Sequence, residues 1–394
     1  MTDPRAPGRV VLRVVHLLNK YLPYSQAWLH RLLTWPSEVE PSFVADHLVP
    51  PGPAVFPVPN LLVLAEAFPL SHPPAAWLSP GGRLTAALAL EHVRARRPHL
   101  LHAHFGHTGW RWLTAARRLD VPLVTSFYGW DVSVLARRPW WRRRYRQLFA
   151  GGARFLCEGP AMARTLEALG CPSHRIGIQR LGIDARGIEA RSRALRPGEP
   201  LEVLAAARFT EKKGLPDAIA AVALASREIE VRLTVAGAAA PTGAGRREAR
   251  RIADAAAASG LGDRLRFVGT LPHDELLALA LRSHVFLQPS RTAADGDREG
   301  GAPVTLVDVA ATGLPAVATR HADIPEVVVD GETGLLAAEG EVSTLAAHLV
   351  RLSRQPALLP RLSEGAASRA RGEFGAERCA ASLRAHYGHA AGQA

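Results

Sequence analysis

The sequence predicts two doubly wound α/β domains in a single chain. Three observations carry this expectation. The 394 residues exceed what one ordinary hydrophobic core holds. Short β-branched runs alternate with amphipathic helical stretches, the pattern of parallel βαβ units. The alternation breaks over residues 186–200, where arginine-rich polar sequence ends in Arg196-Pro197-Gly198-Glu199-Pro200, and then restarts.

In the first half, residues 10–16 read as a strand and 25–33 as the helix that follows. Residues 50–80 are dense in proline and read as irregular. Residues 100–104 read as a strand, 109–119 as a helix, and 121–127, 155–157 and 176–180 as further strands. In the second half the expected strands are 201–207, 231–236, 265–268, 285–288 and 316–318. The helices between them are expected at 214–225, 246–258, 274–281 and 304–311. A last amphipathic helix, 377–387, is set off by Arg371-Gly372-Glu373. The expected domains are therefore 1–190 and 191–372, with 373–394 as a terminal helical piece.

Apolar residues make up 47% and charged residues 21%, the balance of a globular protein. No apolar run reaches the roughly 18–20 residues of a membrane span, and residues 1–9 lack the apolar stretch of a secretory signal. Cys157, Cys171 and Cys379 show neither CxxC nor metal-ligand spacing. A reducing, cytoplasmic setting is expected.

The net charge is +12, and only three of the 48 basic residues are lysine, so compositional drift toward arginine explains much of the basicity. Basic residues nevertheless concentrate at Arg137, Arg138, Trp140, Trp141, Arg142, Arg143, Arg144, Tyr145 and Arg146. Arginines interleaved with aromatics suit an anionic membrane surface or a phosphate-bearing acceptor. No helix-turn-helix, zinc or RNA-binding signature accompanies them, so nucleic acid is not the expected partner.

In open α/β sheets function sits in the loops after strands, at the switch point. Two such loops carry chemistry. Arg208-Phe209-Thr210-Glu211-Lys212-Lys213-Gly214 follows the first strand of the second half. Arg208 offers a planar fork and Lys213 a compact point charge, a pairing that suits a diphosphate. Two of the chain's three lysines stand together at this turn, against the compositional trend. The second loop is Arg298-Glu299-Gly300-Gly301-Ala302-Pro303, leading into a helix that begins Val304-Thr305 and contains Asp308. Its small residues free backbone N–H groups at a helix N-terminus, an anion site. Glu299 stands where a carboxylate accepts sugar hydroxyls and Asp308 where it reaches a ribose. Singly, the plainer readings are a helix-terminal charge for Glu299 and a solvated helix residue for Asp308.

Taken together these residues resemble the retaining family-four glycosyltransferases. The likeness continues through Gly313-Leu314-Pro315-Ala316-Val317-Ala318-Thr319, Ile324-Pro325-Glu326-Val327-Val328 and Asp330-Gly331-Glu332-Thr333-Gly334-Leu335-Leu336. In the first half, residues 16–28, His102-Ala103-His104-Phe105-Gly106 and Ser126-Phe127-Tyr128-Gly129-Trp130-Asp131 are similar to the colanic-acid and amylovoran exopolysaccharide enzymes of that family. The resemblance implies a GT-B fold: two Rossmann-like domains facing across a cleft, acceptor mainly on the first and nucleotide on the second. It also implies that the last helix crosses back to the first domain.

The resemblance implies roles by position. Arg208 and Lys213 hold the donor diphosphate, Glu299 contacts the transferred sugar, and Asp308 takes the ribose. Gly300, Gly301, Ala302, Pro303, Val304 and Thr305 present the loop to sugar and phosphates. His104, Tyr128 and Asp131 lie on the acceptor and sugar side. Two departures from the family pattern stand out: Asp308 replaces a second glutamate, with one extra residue in the interval, and Tyr128 stands where many relatives carry histidine. Asp131 has a second reading as a helix cap, and His104 as a structural histidine.

The implied activity is hexosyl transfer from a nucleoside-diphosphate sugar to a glycan or lipid-linked acceptor, at the inner membrane face. No cofactor is expected and no metal. Asp295-Gly296-Asp297 has carboxylate spacing but lies in a glycine loop. His102 and His104 share a strand face yet lack a third ligand at metal spacing. A nicotinamide oxidoreductase is disfavoured because neither half has a GxGxxG loop after its first strand. The remaining alternative is a non-catalytic nucleotide-sugar-binding partner in a polysaccharide assembly complex.

Overall fold

A computed structural model describes residues 11–21, 27–36, 38–67 and 80–392. Val10 of the first expected strand and residues 25–26 of the first expected helix lie outside them. The chain divides into two compact units, Met1–Gly182 with Ala376–Ala394, and Ile183–Gly375.

The first unit contains β1 (Leu12–Tyr21), α1 (Ala27–Thr34), β2 (Val39–Leu48), β3 (Leu61–Val63), α2 (Leu64–Ala67), α3 (Pro80–Ala95) and β4 (Leu100–His104). It continues with α4 (Gly106–Leu119), β5 (Leu123–Ser126), α5 (Trp130–Ser133), α6 (Pro139–Gly151), β6 (Arg154–Cys157), α7 (Pro160–Ala168) and β7 (Ile176–Ile178). All seven strands pair in parallel in the order β3-β2-β1-β4-β5-β6-β7. The order reverses between β1 and β4, which places the switch point there.

Two sequence expectations need correction in this unit. β2 carries a ten-residue strand that no pattern announced, because Pro41 and Asp46 interrupt its apolar run. Pro41 is tolerated because β3 pairs only with Phe43–Ala45, so nothing on that side needs its missing N–H. Residues 50–80 are not irregular throughout: β3, α2 and a 3-10 turn at Gly52–Ala54 fall inside them, while 68–79 lie outside the described residues. A three-residue strand is too short for its period to register.

The second unit contains β8 (Leu201–Ala206), α8 (Leu215–Ala225), β9 (Val231–Ala236), α9 (Gly243–Ala258), β10 (Leu265–Gly269), α10 (His273–Leu281) and β11 (Val285–Gln288). Then follow α11 (Val304–Ala311), β12 (Ala316–Thr319), β13 (Gly334–Ala337), α12 (Val342–Arg354) and α13 (Leu358–Phe374). Its six parallel strands run β10-β9-β8-β11-β12-β13, the nucleotide-binding order with its switch point between β8 and β11. Alternation along β8 explains the two-sided core. Leu201, Val203 and Ala205 pack with α8 and α12 residues such as Leu215 and Leu349. Leu204 and Ala206 pack on the other face with Leu306 of α11 and Phe374 of α13. Both faces covered by helices is what an all-parallel sheet requires.

The last helix, α14 (Ala376–Ala390), belongs to the first unit. It packs on α1 and β5, and Arg384 pairs with Glu38 at the start of β2. The stretch Arg371-Gly372-Glu373 does not set it off: those residues continue α13, and the break is Gly375. Ala370 and Phe374 are buried on either side of Gly372, so tertiary packing overrides the modest helix penalty of a glycine. Among the described residues no helix is long and apolar enough to cross a membrane.

Candidate functional site

In the second unit, the carboxyl ends of β8, β11, β12 and β13 converge on one cluster. The loop after β8 turns through Glu211–Lys213 in a 3-10 turn and ends at Gly214, whose φ of +63° opens α8. A Cβ at Gly214 would lie 2.0 Å from the Pro289 carbonyl oxygen, so the turn requires glycine for both conformation and room. This close approach holds Lys213 against the loop after β11. There its ammonium lies 2.7 Å from Glu299 Oε1, with both side chains nearly buried.

Ser290 completes this contact by donating its hydroxyl to Glu299 Oε1 at 2.9 Å, while Gln288 donates to Ser290 at 2.7 Å. Burial acts to raise the Glu299 carboxyl, but Lys213 and Lys212 more than offset it and hold it below the usual range. Burial lowers the Lys213 ammonium, and there Glu299 does not fully compensate, because Lys212 and Arg208 add like charge. The pair's attraction thus prevails at the carboxylate and not at the amine.

Two residues that no sequence pattern singled out hold Glu299 in place. His321, fully buried after β12, accepts the backbone N–H of Glu299 on Nε2 at 3.1 Å. An N–H can only donate, so Nδ1 carries the ring proton and gives it to Glu339 Oε1 at 2.6 Å. The other Glu339 oxygen accepts the Thr292 N–H at 2.8 Å, tying the start of the β11 loop to the same carboxylate. Burial lowers the His321 pKa against the pull of Glu339, in keeping with a neutral ring that accepts. Only the sequence position of His321, just after a predicted strand, offered any signal.

The remaining residues singled out in this unit are placed as follows. Arg208 is exposed, and its guanidinium makes no hydrogen bond or ion pair with the described residues. Gly300 to Pro303 run as an irregular loop into α11, whose first residues are Val304 and Thr305. Asp308 is buried on α11 with an oxygen 3.8 Å from His273 Nδ1, which excludes the solvated-residue reading. Lys212 donates to Asp297 and to the Arg298 carbonyl, and Asp295 accepts the Asp297 N–H, so the Asp295-Gly296-Asp297 stretch is a turn clamped by a lysine.

In the first unit, His104 at the end of β4 and Tyr128 after β5 share a hydrogen bond of 2.7 Å between Nδ1 and the phenol. The Trp28 ring of α1 packs on Tyr128 with centroids 4.9 Å apart. Burial raises the Tyr128 phenol far above its ordinary pKa, which rules it out as a base near neutrality. Asp131 is fully buried and accepts from the backbone N–H groups of Gly106, Tyr128 and Gly129 at 2.9, 3.2 and 3.1 Å. Its carboxylate is spent on shaping the loop that carries Tyr128. Burial raises its pKa to about 6 against those three donors.

His102 and His104 have the third neighbour that sequence spacing hid. His16 of β1 is the register partner of His102, and ring nitrogens of His16, His102 and His104 lie within 4.8 Å of one another. A third histidine therefore does stand beside the pair, where sequence spacing showed none, because it comes from an adjacent strand far off in sequence.

The basic aromatic segment forms α6 and the turn before it. Trp140 is 54% exposed, and Arg144 stacks between Trp110 and Trp141 at 4.3 and 4.7 Å. Arg137, Arg138, Arg142, Arg143 and Arg146 are exposed. Tyr145 does not belong to this surface: it is fully buried and donates its hydroxyl to the Asp131 carbonyl at 2.8 Å.

Comparison with known proteins agrees with this architecture. Residues 43–186 match the family described as Glycosyltransferase Family 4, and residues 188–369 match Glycosyl transferases group 1. The chain is 37% identical over 258 residues to the colanic acid biosynthesis glycosyltransferase WcaL of Salmonella typhimurium, covering 64% of this chain and 61% of that one. It is 35% identical over 257 residues to the amylovoran biosynthesis glycosyltransferase AmsK of Erwinia amylovora, covering 64% and 60%. The matches thus span about three fifths of those relatives' length.

Among solved structures, a sucrose-phosphate synthase of Thermosynechococcus elongatus superposes with a TM-score of 0.75 at 19% identity, over 95% of this chain and 98% of that one. Anabaena HepE in complex with UDP and glucose superposes with a TM-score of 0.73 at 16% identity, over 95% and 98%. These neighbours share the GT-B fold. With a Family 4 domain followed by a group 1 domain, in two parallel-sheet units of that fold, the chain belongs to the group 1/family 4 glycosyltransferases.

Proposed function

We propose that the protein transfers a hexose, with retention of anomeric configuration, from a nucleoside-diphosphate sugar to a glycan or lipid-linked acceptor in exopolysaccharide or cell-envelope synthesis. The observation that carries this reading is the buried Lys213–Glu299 pair, 2.7 Å apart at the switch point of the second sheet. The relatives' names, colanic acid and amylovoran biosynthesis, point to the same class of acceptor.

In this reading Arg208 and Lys213 take the donor diphosphate, and Glu299 exchanges its lysine contact for hydroxyls of the sugar. Gly300, Gly301, Ala302, Pro303, Val304 and Thr305 bring loop amides to sugar and phosphates, and Asp308 receives the ribose. The bond between C1 and the phosphate oxygen breaks while the acceptor oxygen bonds C1 from the same face. The departing phosphate oxygen takes the acceptor proton. Such a step asks the protein mainly to stabilise negative charge on the leaving diphosphate, and fixed cations in a dry site do that well. A metal ion is not needed for it: Arg208 and Lys213 supply the charge, and Lys212 already occupies Asp297. Tyr128 and His104 contribute hydrogen bonds on the acceptor side, with Asp131 holding their loop.

The exposed arginines beside Trp140 are the proposed contact with an anionic, cytoplasm-facing membrane where a lipid-linked acceptor resides. Flotation with anionic liposomes tests this contact, and absence of binding at low salt would remove it.

The central test is a thermal-shift screen of nucleoside diphosphates and their sugars, with and without magnesium, on wild type and Arg208→Ala/Lys213→Ala. Ligands that bind the native state raise Tm by mass action. A magnesium-independent shift lost in the double variant supports the donor site. No shift with any nucleotide overturns it. A shift without hydrolysis or transfer selects the alternative, a nucleotide-sugar-binding partner, for which Tyr128 in place of histidine and Asp308 in place of glutamate are the motives.

A further inference from the structure

We infer that His16, His102 and His104 form a binding site for a divalent transition metal of the zinc class, built across the switch point of the first sheet. The three imidazoles come from two adjacent parallel strands: His16 and His102 are register partners on β1 and β4, and His104 lies two residues along β4 on the same face. All three are at most 1% exposed. One nitrogen from each lies within 4.8 Å of the others, and His16 Nδ1 is 3.3 Å from His104 Nε2. A tetrahedral ion with bonds of about 2.0–2.1 Å separates its ligand nitrogens by about 3.4 Å, so the His16–His104 edge already matches and the other edges, within 4.8 Å, shorten on binding.

The surroundings match what a histidine-ligated metal uses. A ligating imidazole normally gives its second ring N–H to an outer oxygen, which fixes the tautomer. His104 Nδ1 is 2.7 Å from the Tyr128 hydroxyl, and His102 Nδ1 is 2.7 Å from the Tyr387 hydroxyl on α14. With those protons on Nδ1, Nε2 of each ring is an acceptor, that of His104 facing His16 Nδ1 at 3.3 Å and that of His102 facing Ser126 Oγ at 2.8 Å, contacts that a bound ion would replace. Ser126 Oγ stands 2.8 Å from His102 Nε2, in position to complete a fourth place. His16 Nε2 makes no hydrogen bond although it is buried, and Nδ1 is 3.3 Å from His104 Nε2, so this ring is only half satisfied as a polar core residue. Burial keeps all three rings neutral, with pKa values pushed well below the ordinary one, so no proton competes for the ligand nitrogens near neutrality. Two carboxylates, Asp131 and Glu158, act on Tyr128 and supply negative charge nearby.

Three neutral nitrogens select borderline ions such as zinc or cobalt and reject magnesium. The ion would tie β1, β4 and, through Tyr387, α14 together, a structural role independent of the donor site in the other unit. His104 and Tyr128 also serve the acceptor side in the proposed transfer reaction, so the test reads metal binding and not activity.

The test is a titration of the full-length, chelator-stripped protein with cobalt(II), followed by zinc. One equivalent of cobalt is expected to produce the visible band of tetrahedral coordination, which zinc then removes. Zinc is expected to raise Tm, and magnesium to leave it unchanged. His16→Gln abolishes the band. Tyr387→Phe, which leaves every ligand in place, weakens cobalt binding about 10–100-fold. The absence of a band and of a zinc-dependent Tm shift in the wild type overturns the inference. So does an undiminished band in His16→Gln, because the ion then sits elsewhere. If His16→Gln fails to fold, an unchanged cobalt affinity in Tyr387→Phe has the same consequence.

Discussion

His321 accepts the backbone N–H of Glu299 while passing its own ring proton to Glu339. The carboxylate that faces the donor sugar in the proposed reaction is thus aimed by a neutral imidazole it does not itself touch. His321→Phe and Glu339→Gln should lower kcat about 10–100-fold, the cost of a small misplacement of a reacting group. The nucleotide Kd should stay near wild type, because neither residue belongs to the proposed diphosphate clamp of Arg208 and Lys213. An equal loss of nucleotide affinity would contradict this positioning role.

Lys213 and Glu299 form a nearly buried ion pair. Removing one member strands the other, which costs about 3–5 kcal/mol. Lys213→Met and Glu299→Leu should each destabilise the protein on this scale, and the double variant should recover a large part of either loss. Urea unfolding of the four proteins closes the cycle. Additive losses would show that the pair is not coupled.

Gly214 has no space for a methyl group, since a Cβ would meet the Pro289 carbonyl at 2.0 Å. Gly214→Ala should cost about 1–3 kcal/mol through its positive φ and the forced shift of backbone. Because Lys213 precedes it, the same variant should weaken nucleoside diphosphate binding. Calorimetry of both properties checks the link, and a destabilised protein with unaltered nucleotide affinity would break it.

The three histidines also predict an acid-side loss of stability in the metal-free protein. Among the described residues, the polar groups that meet them are Tyr128, Tyr387, Ser126, His386 and one another, and no carboxylate is hydrogen-bonded to them. Their folded pKa values are depressed by burial, that of His16 to about 3. Unfolding lets each take up a proton below about pH 6.5. Stability is therefore complete above that pH and falls as the pH drops toward the folded values, by about 1.4 kcal/mol per pH unit for each histidine. Asp131 works in the opposite direction. With its pKa raised to about 6, it favours folding below about pH 3.9 and loses that contribution as the pH rises through 6. Asp131→Asn should accordingly steepen the acid decline and His16→Phe should flatten it, as read by chemical unfolding between pH 4 and 7.

Much of the second unit was legible because its strands are two-sided apolar runs separated by helices of ordinary length. The bounds 231–236, 285–288 and 304–311 are met residue for residue by β9, β11 and α11. The loops after β8 and β11 were legible for a different reason, since rare lysines and small residues stand where a parallel sheet places its ligands. What the sequence hid depends on contacts between distant segments. His321 and Glu339 reach Glu299 from other strands, and His16 joins His102 only through register. β2 was hidden because tolerance of Pro41 rests on how short its neighbour is.

Ile183 and Gly375 form a parallel bridge, and the Ile183 N–H donates to the Phe374 carbonyl at 2.8 Å. The second unit therefore begins and ends at one point, while sequence on both sides of it belongs to the other unit. In topological terms it is a closed excursion from the first unit, with entry and exit side by side. Ends that lie side by side are the arrangement that tolerates circular permutation and domain insertion.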